Sequence, residues 1–289
     1  MVFQGKNKDN FIIIDGSSYL YRAFYALPNL KTTSGLPSGA VHGFANMLNR
    51  ILNEYSPKYI LMVFDAKGTN FRHEIYKEYK ANRNRMPSEL SEQTGTIIDL
   101  VKAYGIHVIQ KDDVEADDVI ASAVRQVNIK NTQTIISSGD KDLAQLVTDN
   151  DVLINNFDSK ILDTKGVIDK FGVKPNQIFD YLCLVGDASD NIPGVNKVGP
   201  KTAVRLLEKY KNIDGILNNT HELKGKLREN LESSTDTLEL AKQLVALRDN
   251  LDLNVNQREL LIKSIDEKSL QEIINKYELK ALSKKLNIE

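Results

Sequence analysis

The chain is poor in the residues that staple small secreted domains or build metal clusters. Cys183 is the single cysteine in 289 residues, which excludes a disulfide framework and a multi-cysteine zinc site and fits a reducing compartment. Its setting, Tyr-Leu-Cys-Leu-Val, reads as a packed core thiol. The four histidines, at 42, 73, 107 and 221, show no ligand spacing and receive no role. No apolar run approaches the ~18 residues a bilayer span needs; Tyr59–Phe64, among the longest, is strand-sized. The N-terminus fails as a signal peptide, because Phe11–Ile14 is only four apolar residues before Asp15 interrupts it. A cytoplasmic location and no membrane partner are the expectation. What is present is globular: 41% hydrophobic, 27% charged and 32.5 kDa, enough for two packed units.

No sign of charge dominates. Lys+Arg number 38 and Asp+Glu 39, a balance that taken alone argues against nucleic acid as a partner. The balance hides clusters, however. Nine acids fall in short motifs: Asp15, Asp65, Glu115, Asp117, Asp118, Asp140, Asp142, Asp187 and Asp190. Were these nine to converge on cations, 38 basic residues would face only 30 remaining acids and the rest of the surface would be positive. The plainer reading of any one of them is a cap or turn residue. The question is whether they share an address.

Three short apolar runs meet a turn signal at once. Phe11–Ile14 leads to Asp15-Gly16-Ser17-Ser18, Tyr59–Phe64 to Asp65-Ala66-Lys67-Gly68, and Thr134–Ser138 to Gly139-Asp140-Lys141-Asp142. Such runs read as strands buried on both faces. Helical periodicity separates them, at Val41–Tyr55 and Thr96–Tyr104, so right-handed crossovers and a parallel sheet are predicted. In a parallel sheet every C-terminal strand end lies on one edge, which brings Asp15, Asp65 and Asp140 together. Val114–Ile120 opens a further helix with three acids in four residues, more than capping requires. Asp187 and Asp190 follow the helix-like stretch Gln177–Val185, three residues apart, and can point the same way.

Nine carboxylates in one pocket would raise one another's pKa unless cations neutralised them. Hard oxygen donors without Cys or a His pair select Mg²⁺ or Mn²⁺ over zinc. Two such ions about 4 Å apart stabilise the attacking and leaving oxygens of a phosphodiester. Phosphoryl transfer to water is the chemistry this donor set predicts.

Two basic features flank the acids. Arg72–Arg85 holds five Lys/Arg against two Glu, with Tyr76, Tyr79, Lys80 and Arg83 on one face of a predicted helix. An ordinary solvated helix with inward tyrosines would look similar. Its departure seven residues after Asp65 and its stop at Met86-Pro87-Ser88 favour cations for a phosphate and rings for unstacked bases. From Pro193 to Asn230 eight Lys/Arg face four Asp/Glu. There Gly194-Val-Asn-Lys197-Val-Gly199-Pro-Lys201-Thr202-Ala precedes an apolar-periodic helix, a backbone suited to phosphate contacts without base readout.

Taken in order, the motifs Ile-Asp15-Gly-Ser-Ser-Tyr-Leu-Tyr-Arg22, Val-Phe-Asp65-Ala-Lys-Gly, Phe71-Arg72, Tyr79-Lys80 with Arg83, Val-Glu115-Ala-Asp117-Asp118, Gly-Asp140-Lys-Asp142, Gly-Asp187-Ala-Ser-Asp190-Asn-Ile-Pro-Gly and Gly199-Pro-Lys-Thr-Ala resemble the 5′-nuclease family of flap endonucleases and 5′→3′ exonucleases. The likeness is greatest to the branch that forms the N-terminal exonuclease domain of bacterial DNA polymerase I, and it runs from about residue 10 to at least residue 280. It implies a PIN-like, Rossmann-like α/β core over about residues 1–175. Within that core a helical arch spans about 70–95. A helical DNA-binding region at 176–289 follows, with a helix–three-turn–helix (helix-hairpin-helix) at about 185–210.

By the same resemblance Asp15, Asp65, Glu115, Asp117 and Asp118 surround one metal, and Asp140, Asp142, Asp187 and Asp190 the other. Lys80, Arg83, Asp117 and Asp142 become the catalytic candidates. Arg22, Arg72, Tyr79, Lys80, Arg83, Gly194, Lys197, Gly199, Lys201 and Thr202 become the DNA contacts. The implied cofactors are two Mg²⁺ (or Mn²⁺) ions, with K⁺ at the helix–three-turn–helix. The implied partner of this monomeric enzyme is branched or nicked duplex DNA with a 5′ end or flap, RNA primers included, in the bacterial cytosol and nucleoid. The chain is either a stand-alone enzyme or part of a larger polypeptide carrying a DNA polymerase. Two rivals stand beside this reading. A haloacid-dehalogenase-type phosphatase needs Asp-x-Asp where Asp15-Gly16-Ser17 occurs. A non-catalytic junction binder would have no use for nine intact acids.

Overall fold

The computed structural model describes residues 9–287 except 128, 131, 157 and 159. Six strands form one sheet: β1 (Asp9–Asp15), β2 (Tyr59–Asn70), β3 (His107–Asp113), β4 (Thr132–Ser138), β5 (Asp151–Asn155) and β6 (Ile161–Leu162). Their order is β3-β2-β1-β4-β5-β6, parallel throughout except for β6. The central position of β1 puts Asp15 in the middle of the C-terminal edge, with β2 and β4 delivering their acids on either side.

Alternation along the strands divides the core in two. Ile12, Ile14, Ile60, Met62, Phe64 and Ile135 face α1 (Gly16–Ala26), α2 (Gly39–Tyr55) and, beyond the five-residue α3 (Phe71–Ile75), α4 (Ser88–Ala103). Phe11, Ile13, Leu61, Val63 and Ile136 face α5 (Ala116–Gln126). That second cluster runs without a break into the helical region, which comprises α6 (Thr164–Phe171), α7 (Ile178–Val185), α8 (Pro200–Tyr210), α9 (Ile213–Asn218), α10 (Gly225–Glu232) and α11 (Thr235–Val245). Cys183 lies fully buried in it, and burial pushes its thiol well up.

The last two helices, α12 (Glu267–Tyr277) and α13 (Lys280–Leu286), correct the expected partition. They do not join the 176–289 helical region. Leu270, Ile274, Tyr277 and Leu282 pack in the first cluster, against the sheet's far face. The chain reaches that face along a strap on which Ile60 N–H donates to the Leu260 carbonyl (2.8 Å) and Asp266 N–H to the Ala103 carbonyl (2.8 Å). The two regions therefore share one body at both ends of the chain. Among the described residues, no helix is long and apolar enough to cross a membrane.

Candidate active site

Local rules fix the acids on the sheet edge. Asp15 ends β1 and caps α1: its Oδ1 accepts Ser18 N–H (2.9 Å) and its Oδ2 accepts the Ser138 hydroxyl (2.6 Å). Asp65 accepts Ala116 N–H at the start of α5 (2.8 Å), while its own N–H donates to Ser17 Oγ (2.9 Å). Strand β2 runs on past Asp65 to Asn70 with a register shift against β3, where the sequence suggested an immediate turn. Asp140 follows β4 and accepts Asp142 N–H (2.8 Å). These carboxylates, with Glu115 and Asp117, line a cleft of about 250 Å³ that also contains Lys80 and Arg83. The acids predicted to share an edge do share it.

The electrostatics are those of a pocket with more acid than countercharge. Burial, helped by the Asp65 and Asp140 charges, pushes Asp15 up to about 7. Burial and Asp140 likewise raise Asp142 to about 7, and burial with Asp140 and Asp15 holds Asp117 well above the carboxylate range. Asp140 is raised by burial and by the Asp190 charge. Asp142 Oδ1 is buried and makes no hydrogen bond.

The other acids are already neutralised. Burial raises Glu115, but Lys80 and Arg72 outweigh it and its pKa ends below the ordinary value. Burial of Asp187 is likewise outweighed, by Lys141 and Ser189. Arg83 bonds Asp190, and Lys80 stands 3.6 Å from the same carboxylate. Among the described residues no three acids yet form a closed ligand set. The donor chemistry nevertheless fits a hard divalent cation: oxygen only, crowded with like charge and with an orphaned carboxylate oxygen.

Two predicted site residues prove to be structural. Arg72, 2% exposed, forks onto Asp118, 0% exposed, with Nη1–Oδ2 at 2.7 Å and Nη2–Oδ1 at 2.8 Å. Arg72 also donates to the Leu244 and Ala246 carbonyls, and Asp118 accepts from Glu115 N–H and Arg248 N–H. Every polar atom of that pair is committed within the fold, so Asp118 has no lone pair for a metal and Arg72 no donor for DNA. In helical geometry Asp117 and Asp118 project about 100° apart, which sends one into the cleft and the other into the core.

The basic stretch is also not one helix. After α3 the chain passes through turns, and α4 starts at Ser88, so Pro87 precedes a helix rather than stopping one. Tyr79 is 3% exposed and donates to Glu115 Oε2 (2.9 Å), so its ring offers bases no stacking face. The turns dock on the second acidic loop: Lys80 N–H donates to the Asp190 carbonyl (2.9 Å), Asn82 to that of Ala188 (2.7 Å), and Asn191 to that of Glu78 (2.8 Å). Lys80 itself adopts φ +54°, strain that this docking holds in place.

Arg22 lies on the α1–α2 side, beside Tyr19 and Arg50, outside the cleft. Gly194 is needed inside the protein: a Cβ there would stand 2.4 Å from the Val185 carbonyl carbon. Gly199, Lys197 and Lys201 are exposed at the start of α8, with nothing within 4 Å of a Gly199 Cβ, and Thr202 is half-buried there. Sequence reasoning passed over Ser17, Ser18, Tyr21 and Ser138, whose hydroxyls and ring line or brace the cleft. Their position beside the strand-end aspartates was the available signal. It also passed over Lys141, which bonds Asp187.

With this geometry in view, the description "5′-3′ exonuclease, N-terminal resolvase-like domain" matches residues 10–172, and "5′-3′ exonuclease, C-terminal SAM fold" matches residues 173–268. The chain belongs to the 5′-3′ exonuclease family. It is 40% identical over 275 residues to a 5′-3′ exonuclease of Aquifex aeolicus, covering 95% of this chain and 94% of that protein. It is 38% identical over 283 residues to DNA polymerase I of Caldicellulosiruptor bescii, covering 96% of this chain but only 33% of the polymerase. Among solved structures, the T5 5′-exonuclease with bound zinc superposes with a TM-score of 0.72 at 22% identity, over 93% of this chain and 99% of that one. The catalytic core of Rad2 with DNA substrate gives 0.61 at 15% identity, over 96% and 93% of the two chains. Both show the fold: a mostly parallel sheet flanked by helices with a helical C-terminal region. The nuclease reading and the sheet-edge cleft thus point to one place.

Proposed function

We propose that this nuclease uses Mg²⁺ or Mn²⁺, two ions when fully loaded, to hydrolyse phosphodiesters at 5′ ends and 5′ flaps of branched or nicked duplex DNA, RNA primers included. The observation that carries this is the convergence of Asp15, Asp65, Asp117 and Asp140 on one cleft, none of them in an ion pair among the described residues, with burial and neighbouring acids raising Asp15, Asp117 and Asp140. Asp15, Asp65, Glu115 and Asp117 would hold one ion, and Asp140, Asp142, Asp187 and Asp190 the other. When bound, the ions supply charge neutralisation for the attacking water and the departing oxygen.

The chain's own groups do the rest. Lys80 and Arg83 line the cleft, where they orient the scissile phosphate and offset its developing charge. Lys197, Lys201 and the open backbone at Gly199 and Thr202 contact the duplex phosphates, with K⁺ as a candidate bridging ion there. Such contacts carry no base information, so selectivity is for a free 5′ end and junction shape. Identity of 40% with a 5′-3′ exonuclease and of 38% with a third of a DNA polymerase I supports work beside, or fused to, a DNA polymerase. The lone buried thiol suits the reducing cytosol and nucleoid.

A 5′-labelled flap incubated with Mg²⁺, with EDTA, and with the Asp140→Ala chain tests the proposal. Short 5′ products only in the first reaction are expected. Cleavage that survives EDTA or the substitution would refute it.

A further inference from the structure

The cleft's two halves differ in how their charge is met, and one side chain that the proposed chemistry does not use is responsible for much of the difference. Lys141 sits between Asp140 and Asp142 in sequence. Its ammonium bonds Asp187 Oδ2 and stands 3.6 Å from Asp142 Oδ1, the carboxylate oxygen that has no hydrogen bond. Asp187 Oδ1 is taken by Ser189, through its N–H (2.8 Å) and its hydroxyl (2.7 Å). The ammonium therefore lies between Asp187 Oδ2 and the buried Asp142 Oδ1, two oxygens turned toward the same cation. Its side chain is 41% exposed, so the ammonium has a path to water. By contrast, Asp15, Asp65 and Asp117 make no ion pair among the described residues.

We propose that the Lys141 ammonium is the resident occupant of the subsite between Asp142 and Asp187, and that a divalent ion enters there only by displacing it. The residue is then a positioning group that sets an affinity gap between the two ions. The first ion meets Asp15, Asp65 and Asp117, which make no ion pair among the described residues, beside a Glu115 that Lys80 bonds, whereas between Asp142 and Asp187 the second must exchange with an intramolecular cation. The ammonium holds the acidic loops together before loading and leaves without any proton transfer. This rests on the two-ion reading above.

Calorimetric titration of the metal-free chain with Mn²⁺ tests it, because the readout is binding and not turnover. The wild-type chain is expected to give a tight and a weaker event. Lys141→Met should tighten the weaker event about tenfold, the scale of one opposing charge a few ångströms away after solvent screening. Lys141→Arg, which restores the charge, should return it to the wild-type value. Lys67→Met, which removes an exposed cation two residues from Asp65, controls for the general field and should shift either event by no more than about twofold. In EDTA the Lys141→Met chain should melt below wild type, and saturating Mn²⁺ should erase the deficit. A weaker event that is unchanged or loosened by Lys141→Met, or two events tightened equally, would overturn the inference and leave the nuclease reading standing. No saturable Mn²⁺ binding by the wild-type chain would sink both.

Discussion

Asp117 and Asp118 are neighbours on one helix, and they live in opposite halves of the electrostatics. Asp117 opens onto the cleft, where burial and the Asp140 and Asp15 charges oppose its ionisation. Asp118 is fully enclosed and forked by Arg72, with two backbone N–H groups besides. The same contrast holds on a larger scale between Asp15, Asp65 and Asp117, which make no ion pair among the described residues, and Glu115, Asp190 and Asp187, which Lys80, Arg83 and Lys141 hold. It teaches that acidity in a motif has two uses. A carboxylate whose partners are all within the fold maintains the fold, and one left short of partners is available to a ligand at a cost in stability.

Substitution on each side should separate the two uses, beginning with the largest effect. Asp117→Ala or Asp142→Ala should reduce flap cleavage by about 10³-fold or more, the several kcal/mol that metal stabilisation of the transition state supplies. Affinity for flap DNA, read by fluorescence anisotropy in EDTA, should persist. Wild-type turnover by either variant would remove that acid from the machinery.

Asp118→Ala or Arg72→Ala should instead destabilise the fold, by roughly 3–5 kcal/mol, because each leaves one buried charge alone. Urea unfolding monitored by circular dichroism checks this. Asp117→Asn should move the other way, raising the melting temperature in EDTA by removing an opposed charge. If Asp117→Asn and Asp118→Ala shift stability in the same direction, the contrast is wrong.

A pH series sharpens it further. Asp15 and Asp142 each sit at about 7 in the folded chain against an ordinary 3.8. The folded state thus retains protons that the unfolded chain releases, and their contribution, full below the unfolded value, is lost as pH rises. Metal-free stability should therefore fall between about pH 4 and pH 7. Saturating Mg²⁺ should flatten that fall, and a metal-free profile that rises instead would contradict the assignment. The smallest expected effect is at the proposed duplex contacts. Lys197→Ala and Lys201→Ala should each lower the slope of log affinity against log salt by about one, uniformly across DNA sequences. An unchanged slope would remove that lysine from the interface.

Much of the architecture was legible because parallel strands advertise themselves. Phe11–Ile14, Tyr59–Phe64 and Thr134–Ser138 are apolar or β-branched, short, and closed by turn residues, and they became β1, β2 and β4. Strand β3 was not visible, since His107–Asp113 carries polar residues on a half-exposed strand and lacks that signature. The basic stretch misled for a related reason. A 3.6-residue spacing of Tyr76, Tyr79, Lys80 and Arg83 was real in sequence, but docking against Ala188–Asn191 supplied better hydrogen bonds than a solvated helix could.

The sequence by itself determined that acids would gather on one sheet edge. A parallel sheet has only one such edge, and strand-terminal aspartates must lie on it whatever surrounds them. It also carries the proposal of a hard cation, because oxygen donors without sulfur or paired imidazoles suit one. Which acids remain open to a ligand was decided only in three dimensions. Arg72 is 46 residues from Asp118, and Lys141 is 46 residues from Asp187, so no local pattern pairs them. Burial and long-range countercharge, which exist only once the chain has closed, turned equivalent motifs into a core ion pair, a guarded subsite and an open one.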